Sequence, residues 1–346
     1  MRVTILCILS LGVASAVIAE SPAGDPVLGE RLVEGVATED SLWVRSANGA
    51  LVHFDRATGD RKVLSTHGVA DIVRYDERTV ALIREPNNPG SYRIQDTDTG
   101  EILAPIVSGL DDDDGLISLV HLDQGWAILS RETLILQEQD HWRRAAVDLD
   151  RPSFGADVTL AVGQNIYVGR NRGEWGGGLG LIEAPSARAR EIARVDGEGL
   201  CDGPLNTECD PVTGLARESG RPGCVLASIG LMHMMAHGRI LRVCGDRVEV
   251  VFEEAVPPPT DPNVMALPNQ WPFFGIAATE NGWVAVSAGK LFQSSGGFVS
   301  QTDMPELVPW QGLEAAFLPS IIILKTDLNW GMSISGYTPL LVPVMD

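Results

Sequence analysis

The residues best suited to contact a ligand fall in a few short clusters. Arg170, Arg172, Glu174 and Trp175 stand together in the stretch NIYVGRNRGEWGGGLGLIE, which begins at Asn165. An arginine can pair with a carboxylate or a sugar hydroxyl, and a tryptophan can stack on an apolar ligand. Alternatively, the tryptophan packs over a neighbouring loop while the charges stay solvated. The cluster is a candidate ligand-binding site with both interpretations open.

Two further clusters carry histidine, methionine and tryptophan. LMHMMAHG, from Leu231 to Gly238, contains His233 and His237 among three methionines, a ligand set of the kind that suits copper. The same side chains also pack well between loops. DLNWG, from Asp327 to Gly331, contributes Asp327, Asn329 and Trp330 as further candidates for ligand contact.

Acidic residues supply the candidate cation sites. The run Asp111 to Asp114 resembles a calcium loop, but Gly115 stands where an EF-hand needs its fifth ligand, which favours a solvated turn. The better candidates for a metal ion, possible Ca²⁺ included, are Asp196, Glu198, Asp202 and Asp210. No other cofactor is indicated.

The charge balance narrows the choice of partners. The chain has 46 Asp and Glu against 26 Lys and Arg, a formal net charge of −20. Such a chain repels phosphate backbones and anionic lipid. We therefore expect no nucleic-acid partner, and an unknown small molecule or protein as ligand. After the N-terminal segment no stretch is long and apolar enough to cross a bilayer, so we also expect no membrane span.

The N-terminus has the layout of a secretory signal. Arg2 precedes an apolar run, and small residues follow at Ala14, Ala16 and Ala19. This run is too short for a spanning helix with its flanks. We predict a signal peptide over residues 1–19, cleaved after Ala19 or alternatively after Ala16, and an exported protein that is periplasmic or extracellular.

Short apolar runs recur along the chain at intervals that indicate one repeated unit. Successive starts differ by 38, 46, 40, 59, 58 and 38 residues, and four of these intervals are near the 40–50 residues of a four-stranded β-propeller blade. The two longer intervals contain insertions. The seven runs are SLWVRS, TVALIR, GWAILS, NIYVGR, CVLASI, GWVAVS and SIIILK, starting at residues 41, 79, 125, 165, 224, 282 and 320.

The pattern predicts an all-β chain, a β-propeller of seven four-stranded blades in one domain over residues 20–346, with insertions at 196–222 and 254–272. Each run is the second strand, B, of strands A to D. Two Asp-x-x-Thr-Gly stretches, at Asp55 and Asp96, predict C–D turns in which Asp caps the turn and Gly59 or Gly100 adopts a positive φ. The last blade lacks an obvious fourth strand, so we expect PVLGERLV, from Pro26, to close the ring.

The glycine cluster at residues 176–178 must be a phosphate loop or a hairpin tip. A dinucleotide loop needs G-x-G-x-x-G between a strand and a helix. Leu181 stands in place of the third glycine, and LGLIEAP alternates and then breaks at Pro185. The stretch is therefore interpreted as a B–C hairpin with a long tip.

Nearly all long connections belong to one end of the predicted propeller. B–C and D–A connections share one end of the blades, which we call the loop face, and A–B and C–D turns share the other, the turn face. The loop face takes the B–C segments 84–90, 170–178, 231–238 and 327–331 and the D–A segments 108–116, 196–211 and 256–272. Long loops on a rigid scaffold carry binding chemistry, so this face is the expected functional one.

Four cysteines lie beyond the predicted signal, and four allow three pairings. A zinc site is the alternative, but no CxxC spacing occurs. If Cys224 opens strand B and Cys244 ends strand C, antiparallel pairing places them opposite each other, with Leu226 opposite Arg242. This predicts the disulfides Cys224–Cys244 and Cys201–Cys209.

The repeats resemble a broad group of propellers, those with two-component-regulator sensor or PQQ-type blades. SLWVRSANGALVHFDRATGD, from Ser41 to Asp60, carries the resemblance best. PQQ-type blades place a Trp four residues after the turn glycine, where this chain has Val63 and Ala104, and no adjacent cysteine pair is present. The resemblance therefore implies the fold and does not extend to quinone binding.

Linear motifs favour a binding module over an enzyme. No G-x-S-x-G occurs, and no histidine has a recognisable nucleophile beside it, so catalytic residues stay unknown. The expected function is ligand or protein binding through the loop face. The alternatives are a metal-dependent, lactonase-like hydrolase on the same face and a structural subunit of an envelope complex.

Overall fold

The chain folds into short antiparallel strands, most of them five to nine residues long, and the apolar runs form their buried members. The computed structural model describes residues 32–110, 118–147, 156–192, 203–232, 236–257, 270–310, 313–318, 320–325 and 339–344. Within these residues, the single helical element is a 3₁₀ turn at Gly173–Trp175. These residues contain no helix long and apolar enough to cross a membrane.

Twenty-eight strands form seven antiparallel four-stranded sheets, which confirms the predicted seven-bladed propeller. Blade 1 contains β1 (Leu32–Ala37), β2 (Ser41–Ser46), β3 (Leu51–Asp55) and β4 (Arg61–Ser65). Blade 2 contains β5 (Val69–Tyr75), β6 (Arg78–Arg84), β7 (Ser91–Asp96) and β8 (Val107–Ser108). Blade 3 contains β9 (Ser118–Leu122), β10 (Gly125–Leu129), β11 (Thr133–Glu138) and β12 (His141–Ala146).

The remaining blades follow the same scheme. Blade 4 contains β13 (Ala156–Val162), β14 (Asn165–Asn171), β15 (Gly177–Glu183) and β16 (Arg188–Ile192). Blade 5 contains β17 (Val212–Arg217), β18 (Cys224–Met232), β19 (Ala236–Cys244) and β20 (Arg247–Phe252). Blade 6 contains β21 (Phe273–Thr279), β22 (Gly282–Ser287), β23 (Lys290–Ser295) and β24 (Phe298–Asp303). Blade 7 contains β25 (Val308–Trp310), β26 (Leu313–Leu318), β27 (Ile321–Lys325) and β28 (Pro339–Pro343).

In blades 1 to 6 the first strand contacts the first strand of the next blade, which places these strands nearest the axis. Each predicted B run occupies the next position outwards, in β2, β6, β10, β14, β18, β22 and β27. These runs are buried on both faces, since neighbouring blades cover both sides of each sheet.

Blade 7 corrects one prediction. Its innermost strand is β28, which contacts both β1 and β21, so the chain crosses this blade from the outside inwards. The N-terminal segment from Pro26 does not supply a fourth strand to blade 7: Leu32 and Val33 begin β1 of blade 1, and residues 26–31 lie outside the described residues. The C-terminal strand β28 completes blade 7 instead, as its innermost strand, and its Val342 and Val344 pack in the buried cluster shared with blade 1.

Apolar packing between blades 7 and 1 closes the ring. Leu324 and Val342 of blade 7 share one buried cluster with Leu42 and Val44 of blade 1. Gly35 makes this approach possible, since a Cβ at this position would lie 2.6 Å from Cγ2 of Val342 and 3.3 Å from Cδ1 of Leu324.

The two Asp-x-x-Thr-Gly turns form as predicted. Oδ1 of Asp55 accepts hydrogen bonds from the backbone N–H of Ala57 (2.9 Å) and Thr58 (2.8 Å), and Oδ1 of Asp96 accepts the equivalent pair from Asp98 and Thr99. The two turn glycines have φ of 74° and 77°. The N–H of Thr58 is the main reason that the pKa of Asp55 is lowered.

The Cys224–Cys244 disulfide is confirmed. The two residues face each other across β18 and β19 with a Cα–Cα distance of 4.4 Å, and Leu226 lies opposite Arg242 as predicted. Cys209 is also disulfide-bonded. Its predicted partner, Cys201, lies outside the described residues, so that pairing stays a prediction.

We expect Gly35→Ala to lower the free energy of unfolding by about 1–3 kcal/mol, because the added methyl overfills the contact with Val342. Val342→Ala alone should also destabilise, by leaving a cavity. The double variant should be more stable than the sum of the two losses predicts, since each change relieves the other. Urea denaturation of the four proteins measures this; strictly additive losses would contradict the proposed contact.

Candidate functional site

The loop face holds most of the elaboration, as predicted. Its D–A connections span 109–117, 147–155, 193–211 and 253–272, whereas most A–B and C–D turns are two to five residues long. Two connections on the turn face depart from this division, 97–106 and 218–223. On the described part of the loop face, the loops of blades 4 and 5 are bonded together.

The hairpin of blade 4 confirms that the glycine cluster is not a phosphate loop. β14 and β15 pair directly, with Arg170 opposite Gly178, and the tip is the 3₁₀ turn ending at Trp175. This turn contacts β18 of blade 5. The Trp175 side chain is 63% exposed, whereas Arg172 and Glu174 are half-buried.

The glycines instead allow the insertion before blade 5 to lie against the hairpin. The N–H of Gly177 donates to the carbonyl of Thr207 (2.8 Å), and the N–H of Gly178 donates to the carbonyl of Asp210 (2.9 Å). A Cβ on Gly176 would lie 2.3 Å from the Thr207 carbonyl oxygen, and one on Gly178 would lie 2.5 Å from Cγ2 of Thr207. Only glycine permits this approach without moving the backbone.

Asp210 fastens the insertion to blade 5. It is fully buried, and one carboxylate oxygen lies 2.8 Å from Nε2 of His237 while the other accepts from Nη2 of Arg239 at 2.6 Å. Arg239 also donates from Nε to the carbonyl of Pro204 (2.9 Å). A metal ion bound by Asp210 would have to displace this guanidinium.

Arg170 is fully buried and pairs with Glu191 of β16, Nη2 to Oε1 at 2.6 Å. The predicted contact with a ligand is not supported by this position, because a ligand on the surface cannot reach the guanidinium. The residue instead ties the hairpin of blade 4 to its outer strand. A buried arginine needs such a partner, since an unpaired buried charge is strongly unfavourable.

The structure therefore brings together part of the predicted set. Arg172, Glu174 and Trp175 lie at the hairpin tip, and Asp210 of the insertion contacts His237 of blade 5. Within the described residues, no three His, Cys, Asp or Glu side chains are grouped to hold a metal ion. The other predicted ligand, metal and calcium positions lie outside the described residues: Asp111 to Asp114, Asp196, Glu198, Asp202, His233, Asp327, Asn329 and Trp330.

Sequence reasoning missed a pair of carboxyls on the innermost strands, the buried Asp71 and the partly exposed Glu34. Glu34 of β1 accepts a hydrogen bond from the N–H of Ile72 (3.1 Å), and Asp71 of β5 accepts one from the N–H of Leu119. Arg45 lies between them, 2.9 Å from Glu34 and 3.8 Å from Asp71. The available signal was a single acidic residue within each of the apolar stretches LVEGVA and VADIVRY.

Burial raises the pKa of Asp71 well above its ordinary value of 3.8, and the neighbouring Glu34 raises it further. Arg45 and the N–H of Leu119 oppose this shift without overcoming it. The fold therefore favours the neutral carboxyl of Asp71, which can take part in a hydrogen bond with the Glu34 side chain.

Comparison with known proteins supports the fold. No family model matches the sequence, and no curated protein sequence matches it. The WD40 domain of Pan2 from Neurospora crassa is 9% identical, with 85% of this chain and 88% of that chain covered and a TM-score of 0.53. U3-55K is 10% identical, with 91% and 96% covered and a TM-score of 0.53. At these identities the similarity shows a shared β-propeller fold alone.

We expect Asp210→Asn to lower the free energy of unfolding by about 3 kcal/mol, because Arg239 is left buried without a counter-charge. Adding Arg239→Met should recover part of the loss. Asp246→Asn is the control: it breaks the exposed pair with Arg190 and should cost less than about 1 kcal/mol. Chemical denaturation measures all four proteins; equal losses from D210N and D246N would contradict the buried pairing.

Asp71→Asn should stabilise the protein increasingly as the pH rises. Since the pKa of Asp71 is raised in the folded state, its contribution to stability is complete below 3.8 and is lost as the pH rises through the folded value. Asparagine stays neutral throughout. The melting temperature of D71N minus that of the parent should therefore increase between pH 4.5 and 8.

Asp55→Asn is the matched control for this measurement. The pKa of Asp55 is lowered, chiefly by the N–H of Thr58, so its titration lies below this pH range and its difference should stay flat. A D71N difference that shrinks with rising pH would contradict the raised pKa.

Proposed function

We propose that this protein is an exported binding module that docks a protein partner on the loop face, with Trp175 as an anchoring side chain. The observation that carries the proposal is the 63% exposure of Trp175 on a hairpin whose surroundings are fixed. Large aromatic side chains dominate the binding energy of protein interfaces. An exposed tryptophan on a rigid support suits that role.

The support under Trp175 is rigid because the blade 4 hairpin, the insertion and a strand of blade 5 are bonded together. The insertion is hydrogen-bonded to the blade 4 hairpin at Gly177 and Gly178, and its Asp210 is held by Arg239 of blade 5. Fixing these loops before binding reduces the conformational entropy lost on association. The tryptophan is thereby presented without further ordering of the described backbone.

Charge favours a partner with a basic docking surface. The formal net charge of −20 attracts positively charged proteins over a distance and speeds their encounter with this one. Glu208 is exposed on the insertion next to the hairpin, so the surroundings of Trp175 offer an acidic group as well. Export, which rests on the N-terminal segment alone, would place this partner outside the cytoplasm.

A photo-crosslinking residue at position 175 tests the proposal in the native host. The matched control carries the same residue at position 298, since Phe298 is 84% exposed and follows the C–D turn of blade 6 on the turn face. We expect a discrete protein adduct from position 175 and none of that size from position 298. Equal adducts from both positions, or none from position 175, would refute the proposal.

A purified partner then allows the anchoring role to be measured. Trp175→Ala should weaken its affinity by at least about 30-fold, the effect of losing an interface hot spot of about 2 kcal/mol. Phe298→Ala should leave the affinity unchanged. An unchanged affinity in W175A would assign the binding to another part of the loop face.

A further inference from the structure

The outermost strand of each blade has a backbone edge to which no strand is paired in the described part of the chain. Proteins protect such edges from other chains by keeping the strand short or by placing proline or charged side chains on it. Two of the seven outer strands are short: β8 has two residues, and β25 has three, one of which is Pro309. Four others, β4, β12, β16 and β20, carry arginine or lysine.

The outer strand of blade 6 has none of these protections. β24, FVSQTD from Phe298 to Asp303, is six residues long and contains no proline, arginine or lysine. Its one charged residue, Asp303, stands at its end and is paired with Lys290 of the neighbouring strand β23. Val299 is half-buried and the other five residues are exposed, so no described segment covers the strand. The edge of β24 is therefore a template on which a further strand can pair.

The turn before β24 determines which of its backbone groups point outward. The glycines at 296–297 have φ of 58° and 87°, as in a tight two-residue hairpin, and Ser295 pairs with Phe298 across the turn. The residues that close such a turn are hydrogen-bonded to each other, and the direction of the backbone groups alternates along the strand. The N–H and C=O groups of Val299 and Gln301 therefore point away from β23, towards the open edge.

The sequence of β24 is self-complementary about Ser300. A two-fold axis at this residue gives an antiparallel pair in which Val299 of each copy lies opposite Gln301 of the other, with their outward backbone groups aligned. Phe298 then lies opposite Thr302, an aromatic and β-branched pair of the kind that stabilises sheets. Moving the axis by one residue, to Gln301, would place Phe298 beyond the end of the partner strand.

Charge is also compatible with pairing of β24 to itself. Two copies of a chain with a formal net charge of −20 repel each other, so they can approach only where acidic side chains are few. With the axis at Ser300, the two Asp303 residues lie at opposite ends of the pair, and each lies opposite Gly297 of the other copy. No like charges of the two strands meet.

We propose that two copies of this protein associate through β24, in an antiparallel pair with its two-fold axis at Ser300. Backbone hydrogen bonds between Val299 and Gln301 then join blade 6 of the two copies into one continuous sheet. Pairing through one short strand buries less surface than a permanent dimer requires, so the association is weak and depends on concentration. This interface lies on the rim of blade 6 and goes beyond the proposed docking at Trp175.

Sedimentation equilibrium at protein concentrations up to about 1 mM tests the association, since weak dimers form in this range. We expect a monomer–dimer equilibrium that strengthens as the salt concentration rises, because salt screens the repulsion between two acidic chains. Docking of a basic partner would respond to salt in the opposite direction. A protein that stays monomeric at both low and high salt overturns the proposal.

Ser300→Lys should weaken the dimer by at least about tenfold, because the two lysines would face each other across the axis. Ala146→Lys is the matched control: Ala146 is exposed on the outer strand β12, and the change in net charge is the same. This control should stay within about twofold of the parent protein, because an exposed charge far from the interface is screened. Equal weakening by both variants, or none by S300K, overturns the assignment to β24. Circular dichroism confirms that each variant is folded.

A cysteine at position 300 tests the register of the pair. The two Ser300 residues form a non-hydrogen-bonded antiparallel pair, whose Cα separation of about 4.5 Å allows a disulfide. We expect Ser300→Cys to form a disulfide-linked dimer under mild oxidation. Thr302→Cys, on the same face of the strand but opposite Phe298, should form far less. Equal cross-linking of the two variants would indicate random collision and overturn the register.

The dimer and the docking of a protein partner are separable. S300K should still give the partner adduct from position 175. A second copy captured from position 298 is recognised by the mass of this chain and is not mistaken for that partner. Failure of either proposal therefore leaves the other testable.

Discussion

A ring of sheets is stable only if its first and last sheets pack against each other, and here apolar side chains form that contact. Each described blade takes its four strands from one continuous part of the chain, so no described sheet is shared between the two ends. Closure depends on the apolar contact of β28 with β1, centred on Val342 and Gly35. Each of the other blades packs between two neighbours, so closing the ring gives every blade a neighbour on both sides.

Side-chain hydrogen bonds between innermost strands reinforce the circle at several steps. Glu34 reaches the backbone of β5, Asp71 reaches that of β9, and Thr213 of β17 donates to the carbonyl of Phe273 in β21. Irregular register in β1, β5 and β17 directly precedes or includes these residues. A bulge changes the direction of the side chains beside it, and here those side chains form the hydrogen bonds to the next blade.

The raised pKa of Asp71 shows the energetic consequence of such a contact. A carboxyl is small enough to accept the N–H of Leu119 within the packed centre, but its charge is poorly solvated there. Raising the pKa resolves this conflict, since the neutral form keeps the hydrogen bond at lower cost. The same two carboxyls lie beside Arg45, which is 2.9 Å from Glu34 and 3.8 Å from Asp71.

On the other side of the ring, buried charge fixes the loops of blades 4 and 5. Asp210 of the insertion pairs with Arg239 and His237 of blade 5, and the glycines of the blade 4 hairpin donate hydrogen bonds to the insertion. A buried ion pair adds less net stability than its geometry suggests, but it penalises every arrangement that separates the partners. This favours one position of the insertion and hence one presentation of Trp175.

The sequence by itself determined what depends on neighbours along the chain. Strand positions, the two Asp-capped turns, the blade 4 hairpin and the Cys224–Cys244 register follow from alternation, turn chemistry and antiparallel pairing, all of which act within one blade. Only the tertiary structure decided the inward path of blade 7, the burial of Arg170 and the pairing of Glu34 with Asp71. These features depend on which strands become neighbours and how closely they approach. Contacts between strands far apart in the sequence produce no regular residue spacing from which they could be inferred.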